Sequence, residues 1–205
     1  MKKLLVATHN PGKLEELKLG LESLKQSGVK IVSLDDLGIK EEPDEPGKTF
    51  EENALLKAKF YAGLTNLPTL ADDGGLGIDI LNGEPGVKSR MWLGREATDE
   101  ELINYTLKRL AAIPKEERTG YFETCVCFFD PQTKTIFLAK ERIYGYFTDK
   151  PSVRRIKGYP FRSLFIVKES DKYYDELTEE EHQKINHRLK AVKRLVKKIK
   201  PFLLQ

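Results

Sequence analysis

Leu70-Ala71-Asp72-Asp73-Gly74-Gly75-Leu76 is the stretch on which the reading of this chain turns. Apolar residues run into it from Pro68, two adjacent carboxylates stop the run, and two glycines give the backbone room to turn before Ile78 resumes the apolar pattern. This spells a strand whose carboxyl end carries an acidic pair beside a flexible turn, the place where an open α/β sheet puts a ligand. Hard cations such as Mg²⁺ take oxygen ligands, commonly one or two carboxylates together with substrate phosphates. The stretch therefore points to phosphate chemistry. Taken alone, the same letters also suit a solvated Asp-Asp-Gly-Gly turn between two strands.

On the N-terminal side, Leu4-Leu5-Val6-Ala7 is a short apolar strand, followed by the turn-rich Thr8-His9-Asn10-Pro11-Gly12-Lys13. Leu14, Leu17, Leu21 and Leu24 then recur at helical spacing. A helix start offers unpaired N–H groups and a positive dipole end, and Lys13 adds a full charge, so this turn is a candidate phosphate site. Ile31 to Leu34 reads as a second strand, and the acidic, Gly- and Pro-containing residues 38–48 as a loop. Gly47-Lys48-Thr49 imitates the end of a P-loop, but Glu42 stands where its leading glycine belongs and no apolar strand precedes it. Thr49 and Glu52 instead form a capping box opening a helix that is expected to stop at Gly63. Asn53 and Lys57, four apart, share one face of it.

On the C-terminal side, Thr98 and Glu101 open a helix that Pro114 closes. Residues 121–147 alternate as a long antiparallel ribbon turning at Asp130-Pro131-Gln132-Thr133, with Cys125 and Cys127 on one face as core residues. Residues 150–163 form a basic irregular loop with two exposed-looking aromatics, Tyr159 and Phe161, suited to stacking on a base. Leu164 to Val167 is a strand. Thr178 and Glu181 cap a last helix that runs through Ile185, Leu189, Val192, Leu195, Val196 and Ile199, with a basic opposite face and Asn186-His187-Arg188 in its first turns.

The chain has 205 residues and a net charge of +3, too small to argue for a nucleic-acid partner. No signal peptide is expected, and no apolar run is long enough for a membrane span. The expected location is the cytoplasm, with no membrane and no nucleic acid as partners.

Five motifs in order now carry a resemblance: Thr8 to Lys13; Thr49-Phe50-Glu51-Glu52-Asn53-Ala54; Leu70 to Leu76; Gly83-Glu84-Pro85-Gly86-Val87 with Ser89; and His187-Arg188. Together they resemble the inosine triphosphate pyrophosphatase family, over nearly the whole chain. The resemblance implies an α/β fold with a mixed twisted sheet and flanking helices. It further implies one domain of two lobes around a deep cleft, spanning residues 1–205, and a homodimer. The implied reaction is Mg²⁺-dependent hydrolysis of (d)ITP and XTP to the monophosphate and pyrophosphate. Thr8, His9, Asn10, Pro11, Gly12 and Lys13 would hold phosphates and Lys57 would neutralise them. Asp73 would bind Mg²⁺ and act as the base toward water, with Asp72 beside it and Asp44 as a further metal ligand. Gly74 would lie against substrate, and Phe161, Arg162, His182, His187 and Arg188 would face the base.

The departures from that family are concentrated. Gly74 replaces a serine, and Arg162 stands where the family's Gly-Phe-Gly-Tyr-Asp-Pro loop carries its acid. His182 replaces a lysine, Asn186 a serine, and Met91 an arginine, with Arg90 one position early. The phosphate half is kept while the base half is rewritten, so an altered base choice is expected. A nucleotide-binding protein of the same fold that has lost catalysis is the alternative, and a nucleic-acid binder using the basic loop and terminal helix is a third.

Overall fold

The computed structural model describes residues 2–204. In chain order the elements are β1 (Lys3–Ala7), α1 (Pro11–Gly20), α2 (Glu22–Gln26), β2 (Lys30–Ser33), α3 (Phe50–Thr65), β3 (Thr69–Ile78), β4 (Glu84–Gly86) and α4 (Asp99–Leu110). They continue with β5 (Thr119–Phe129), β6 (Ile136–Phe147), β7 (Phe165–Val167), β8 (Lys172–Tyr173), α5 (Glu179–Ile185) and α6 (His187–Leu203). The chain divides into two compact units. Unit 1 comprises residues 1–74, 124–141 and 187–205, and unit 2 residues 75–123 and 142–186, so β3, β5 and β6 contribute residues to each.

In unit 1, β1 pairs in parallel with β2 on one side and β3 on the other. Leu4, Leu5 and Val6 are wholly buried, as an all-apolar strand inside a parallel sheet must be. The register sets Ala7 opposite Ala71. Both chains therefore leave the pairing at the same level, one into the Thr8–Lys13 turn and the other into Asp72-Asp73. The core beneath is built from Leu4, Val6, Leu17, Leu70, Phe128, Val192 and Leu195 among others. Unit 2 pairs β3 with β4, β6 with β7 and β7 with β8, all antiparallel. Its core is more aromatic, with Phe122, Phe147, Phe165 and Tyr174 packed around Leu76, Ile78 and Leu102. The fold is the mixed α/β class expected.

The three capping boxes at Thr49, Thr98 and Thr178 are all formed as predicted, and Cys125 and Cys127 are buried and free. Four boundaries differ. No turn follows Asp73: β3 runs extended from Thr69 through both glycines to Ile78. Neither glycine adopts a positive φ; strand pairing to β1 and then to β4 keeps the backbone straight. The first helix breaks at Leu21 into α1 and α2, immediately after Gly20, where a Cβ would meet Val192 Cγ1 at 2.6 Å. The helix expected to end at Gly63 runs on to Thr65 and closes at Asn66, whose φ of 54° supplies the left-handed cap. The last helix is two: Asn186 (φ −54°, ψ 114°) leaves helical geometry between α5 and α6. Its side-chain amide contacts the His182 ring, the kind of local bonding by which asparagine competes with a helix.

Candidate active site

Asp73 is held through both of its carboxylate oxygens. Lys57 Nζ donates to its Oδ1 at 3.1 Å and Asn53 Nδ2 to its Oδ2 at 3.2 Å. These two donors sit one turn apart on α3, so their helical spacing becomes a clamp with one prong for each oxygen. Gly47 N–H donates to Asn53 Oδ1 at 2.8 Å, which turns the Asn53 amino group toward Asp73. Only glycine fits at 47, because a Cβ would lie 2.3 Å from that Oδ1. The Thr124 hydroxyl on β5 donates to the Asp73 carbonyl at 3.3 Å.

Asp72 is buried, and its Oδ2 receives Lys13 Nζ at 3.2 Å and Arg188 Nε at 2.9 Å. Arg188 NH1 also donates to Glu16 Oε2. Arg188, expected to face a base, is 4% exposed and is committed to carboxylates on β3 and α1. His187 is buried at the start of α6. Asn10 caps α1, its Oδ1 accepting Lys13 N–H at 3.0 Å, while Thr8 Oγ1 accepts Asn10 N–H at 3.2 Å. Pro11 occupies the first helical turn, where its missing N–H costs nothing. His9 lies 3.4 Å from Glu41 O through Nε2, edge-on to Tyr61. Gly12 is half-buried on the first turn of α1, and Gly74 is half-buried within β3.

Burial alone would raise the Asp72 carboxyl, but Lys13, Arg188 and Lys57 together hold it well below the usual carboxylate range. Burial also works to lower the Lys57 ammonium, and there Asp73, Asp72 and Glu45 outweigh it and raise it. For Lys13 burial prevails: it draws the ammonium down against the pull of Asp72, with Arg188 and Lys57 adding to the descent. Any further negative charge brought to Lys13 raises it again.

Unit 2 carries the rewritten residues. Arg162 is 5% exposed, its Cζ lying 3.8 Å from the Tyr159 ring centre and 4.6 Å from that of Tyr174. His182 packs at 5.5 Å on the same Tyr174 ring. Phe161 is not the exposed aromatic expected: it is buried, tilted against Trp92 at 6.2 Å. The loop is pinned by Asp99, which accepts Gly158 N–H at 2.6 Å and Arg90 NH1 at 2.8 Å, while Arg90 NH2 donates to Gly158 O at 3.0 Å.

The model of the Ham1 family matches residues 4–198. The chain belongs to the Ham1 family. It is similar to the dITP/XTP pyrophosphatase of Bacillus subtilis, 41% identical over 199 residues and 96% of each chain. The dITP/XTP pyrophosphatase of Thermoanaerobacter pseudethanolicus is 40% identical over 94% of each chain. Among solved structures, a HAM1 protein from Coxiella burnetii superposes with a TM-score of 0.86 at 30% identity, covering 98% of this chain and 100% of that one. The nucleoside-triphosphatase or dITP/XTP pyrophosphatase of Mycobacterium abscessus gives a TM-score of 0.76 at 34% identity over 95% and 98%. The resemblance read from the motifs is thus borne out over nearly the whole chain.

Sequence reasoning about this Ham1-family chain missed three participants. Glu45, not its neighbour Asp44, reaches the cluster, accepting Lys57 Nζ at 2.8 Å; Asp44 is exposed. Asn53 was noted for its spacing but not as the partner of Asp73, and Glu16 carried no signal beyond its place on an amphipathic helix. For a cation, one observation bears on fit: Asp72 Oδ1 is buried with no hydrogen-bond partner among the described residues. An open carboxylate oxygen beside a second carboxylate suits a hard cation that completes its shell with phosphate oxygens. Among the described residues no group of three His, Cys, Asp or Glu side chains converges on one point, so Asp44 is not brought into a ligand set with the pair.

Proposed function

We propose that this chain hydrolyses nucleoside triphosphates of the (d)ITP and XTP class, releasing pyrophosphate and the monophosphate. The observation that carries this reading is the unit 1 cluster, in which Lys13 and Lys57 each grip one member of the Asp72-Asp73 pair. Two ammonium groups beside a capped helix start attract a polyphosphate. Both are already matched by carboxylates, so something must yield. The Glu45 side chain is 41% exposed, while that of Lys57 is 12% exposed and also holds Asp73, so of the two carboxylates Glu45 is the one that can turn to solvent. An arriving phosphate oxygen therefore replaces Glu45 at Lys57 rather than Asp73.

Triphosphate cleavage asks a protein mainly for positioning and charge neutralisation. Lys57 and Asn53 each take one lone pair of Asp73, which leaves its remaining lone pairs to receive a proton from water. The water oxygen bonds to the α-phosphorus, the bond from that phosphorus to the α,β-bridging oxygen breaks, and the leaving pyrophosphate takes that electron pair. Lys13 and Arg188 keep Asp72 ionised. Mg²⁺, when bound through Asp72 Oδ1 and Asp73, would supply further neutralisation of the polyphosphate. Phe161, Arg162 and His182 are proposed to read the base, and the chain to act as a homodimer.

The test is a panel of ITP, XTP, dITP and the common four triphosphates with Mg²⁺, scoring pyrophosphate and monophosphate together. Equimolar release, fastest from ITP, dITP or XTP and slower from GTP and ATP, supports the proposal. Tight nucleotide binding with no release identifies a non-catalytic relative instead.

A further inference from the structure

Asp72 is loaded on one oxygen only. Its Oδ2 receives both Lys13 Nζ at 3.2 Å and Arg188 Nε at 2.9 Å. Its Oδ1 is buried without a hydrogen-bond partner among the described residues. An arginine beside a carboxylate commonly closes on it as a fork, one donor to each oxygen. Here the fork is split between two carboxylates, because Arg188 NH1 donates to Glu16 Oε2 on α1. The Arg188 and Glu16 side chains are 5% and 13% exposed, so this contact is shielded from solvent. Lys13 and Glu16 lie one turn apart on α1 and share a face. The helix thus sets a cation against Asp72 and an anion against Arg188, and no step above uses that anion.

A buried carboxylate oxygen without a donor is costly, and a second guanidinium donor turned onto it would remove the cost. Left open, the oxygen serves a partner that brings no proton, and a hard cation is such a partner. We propose that Glu16 is a positioning residue for the divalent cation: by engaging Arg188 from α1, it holds the guanidinium to one oxygen of Asp72 and keeps Oδ1 open to the metal. This rests on the pyrophosphatase reading above, which calls for the cation. When Glu16 no longer accepts from NH1, the guanidinium turns to close on both oxygens of Asp72, and Oδ1 is shut. What Glu16 contributes is its acceptor oxygen, more than its charge.

The experiment measures Mn²⁺ binding to the full chain by electron paramagnetic resonance, with inorganic pyrophosphate present. Mn²⁺ stands in for Mg²⁺ because both prefer oxygen ligands. The proteins are wild type, Glu16→Ala, Glu16→Gln, Arg188→Lys, and Glu16→Ala combined with Arg188→Lys. Glu16→Ala is expected to weaken Mn²⁺ binding about ten- to hundredfold, as loss of an outer-shell partner does. Glu16→Gln keeps an amide oxygen that accepts from Arg188, and stays within about threefold of wild type. Lysine keeps the charge of Arg188 but has no fork, so adding Arg188→Lys to Glu16→Ala restores affinity to within about threefold of Arg188→Lys alone. Glu16→Ala that binds Mn²⁺ within about threefold of wild type overturns the proposal, as does a wild type that binds none. A loss in Glu16→Gln equal to that in Glu16→Ala, or a double variant no better than Glu16→Ala, overturns it too, since either assigns the effect to lost charge. Should Glu16→Ala not fold, Glu16→Leu, a helix former without an acceptor, takes its place under the same criteria. Absence of pyrophosphate release by wild type from every triphosphate overturns the parent reading alone, because the Mn²⁺ series still judges Glu16.

Discussion

At the scale of the residue, a carboxylate becomes a base only when something fixes its lone pairs. In the proposed mechanism Asn53 does this for Asp73 Oδ2, and Asn53 is itself oriented by Gly47 N–H. Removing the amide leaves Lys57 to hold Asp73 alone. Asn53→Ala is expected to lower kcat about ten- to hundredfold with KM within a few-fold, the signature of an interaction that matters at the transition state. Steady-state kinetics check it; an equal rise in KM with unchanged kcat would assign Asn53 to ground-state binding. Lys57 and Asp73 were legible in the sequence because each lies in a motif with a fixed spacing. Glu45 was not, because residues 38–48 have no periodicity, and nothing in the letters says which of two adjacent acids turns inward. Arg188 was legible as a cation beside a histidine; its commitment to Asp72 was not, since 116 residues separate them.

At the scale of the element, local chemistry decided most boundaries. Three threonines followed by a glutamate three residues later each opened a helix, because such a box satisfies backbone donors without help from the rest of the fold. Where tertiary packing decides, the letters mislead. Gly74-Gly75 suggested a turn, yet pairing on both stretches of β3 holds it extended. Gly20, which carries no signal in the leucine spacing around it, is the site where α6 approaches. In an exposed helix Gly→Ala gains about 1 kcal/mol. Here the added Cβ would meet Val192 Cγ1 at 2.6 Å, and a β-branched side chain has little freedom to move away. Gly20→Ala is therefore expected to destabilise the protein by about 1–3 kcal/mol, and Val192→Ala in the same chain to recover part of that loss. Denaturant unfolding of the three proteins checks the pair; a stabilised Gly20→Ala would show that the approach is looser than described.

At the scale of the whole molecule, two buried acids give stability opposite slopes with pH. Asp72 has a depressed folded value, so its contribution is present above the ordinary 3.8 and is lost as pH falls below it. Asp175 has a raised folded value, so its contribution is present below 3.8 and is lost as pH rises from there through about 6. That second loss amounts to about 2–3 kcal/mol. The unfolding midpoint followed from pH 3 to 8 should fall between about pH 4 and 6 on account of Asp175, and Asp175→Asn should flatten that fall while leaving the acid-side loss intact. A wild-type profile that rises steadily across the same window would contradict the upward shift that burial gives the Asp175 carboxyl.

The most direct measurement is the behaviour of Asp73→Asn. The substitution keeps the shape of the side chain and removes its ability to take a proton. With Lys13, Lys57 and Arg188 untouched, triphosphate binding by calorimetry should stay within about tenfold of wild type. Single-turnover release of pyrophosphate should fall by about 10³-fold or more. Release within a few-fold of wild type would contradict the assignment of Asp73 as the base held ready by Lys57 and Asn53.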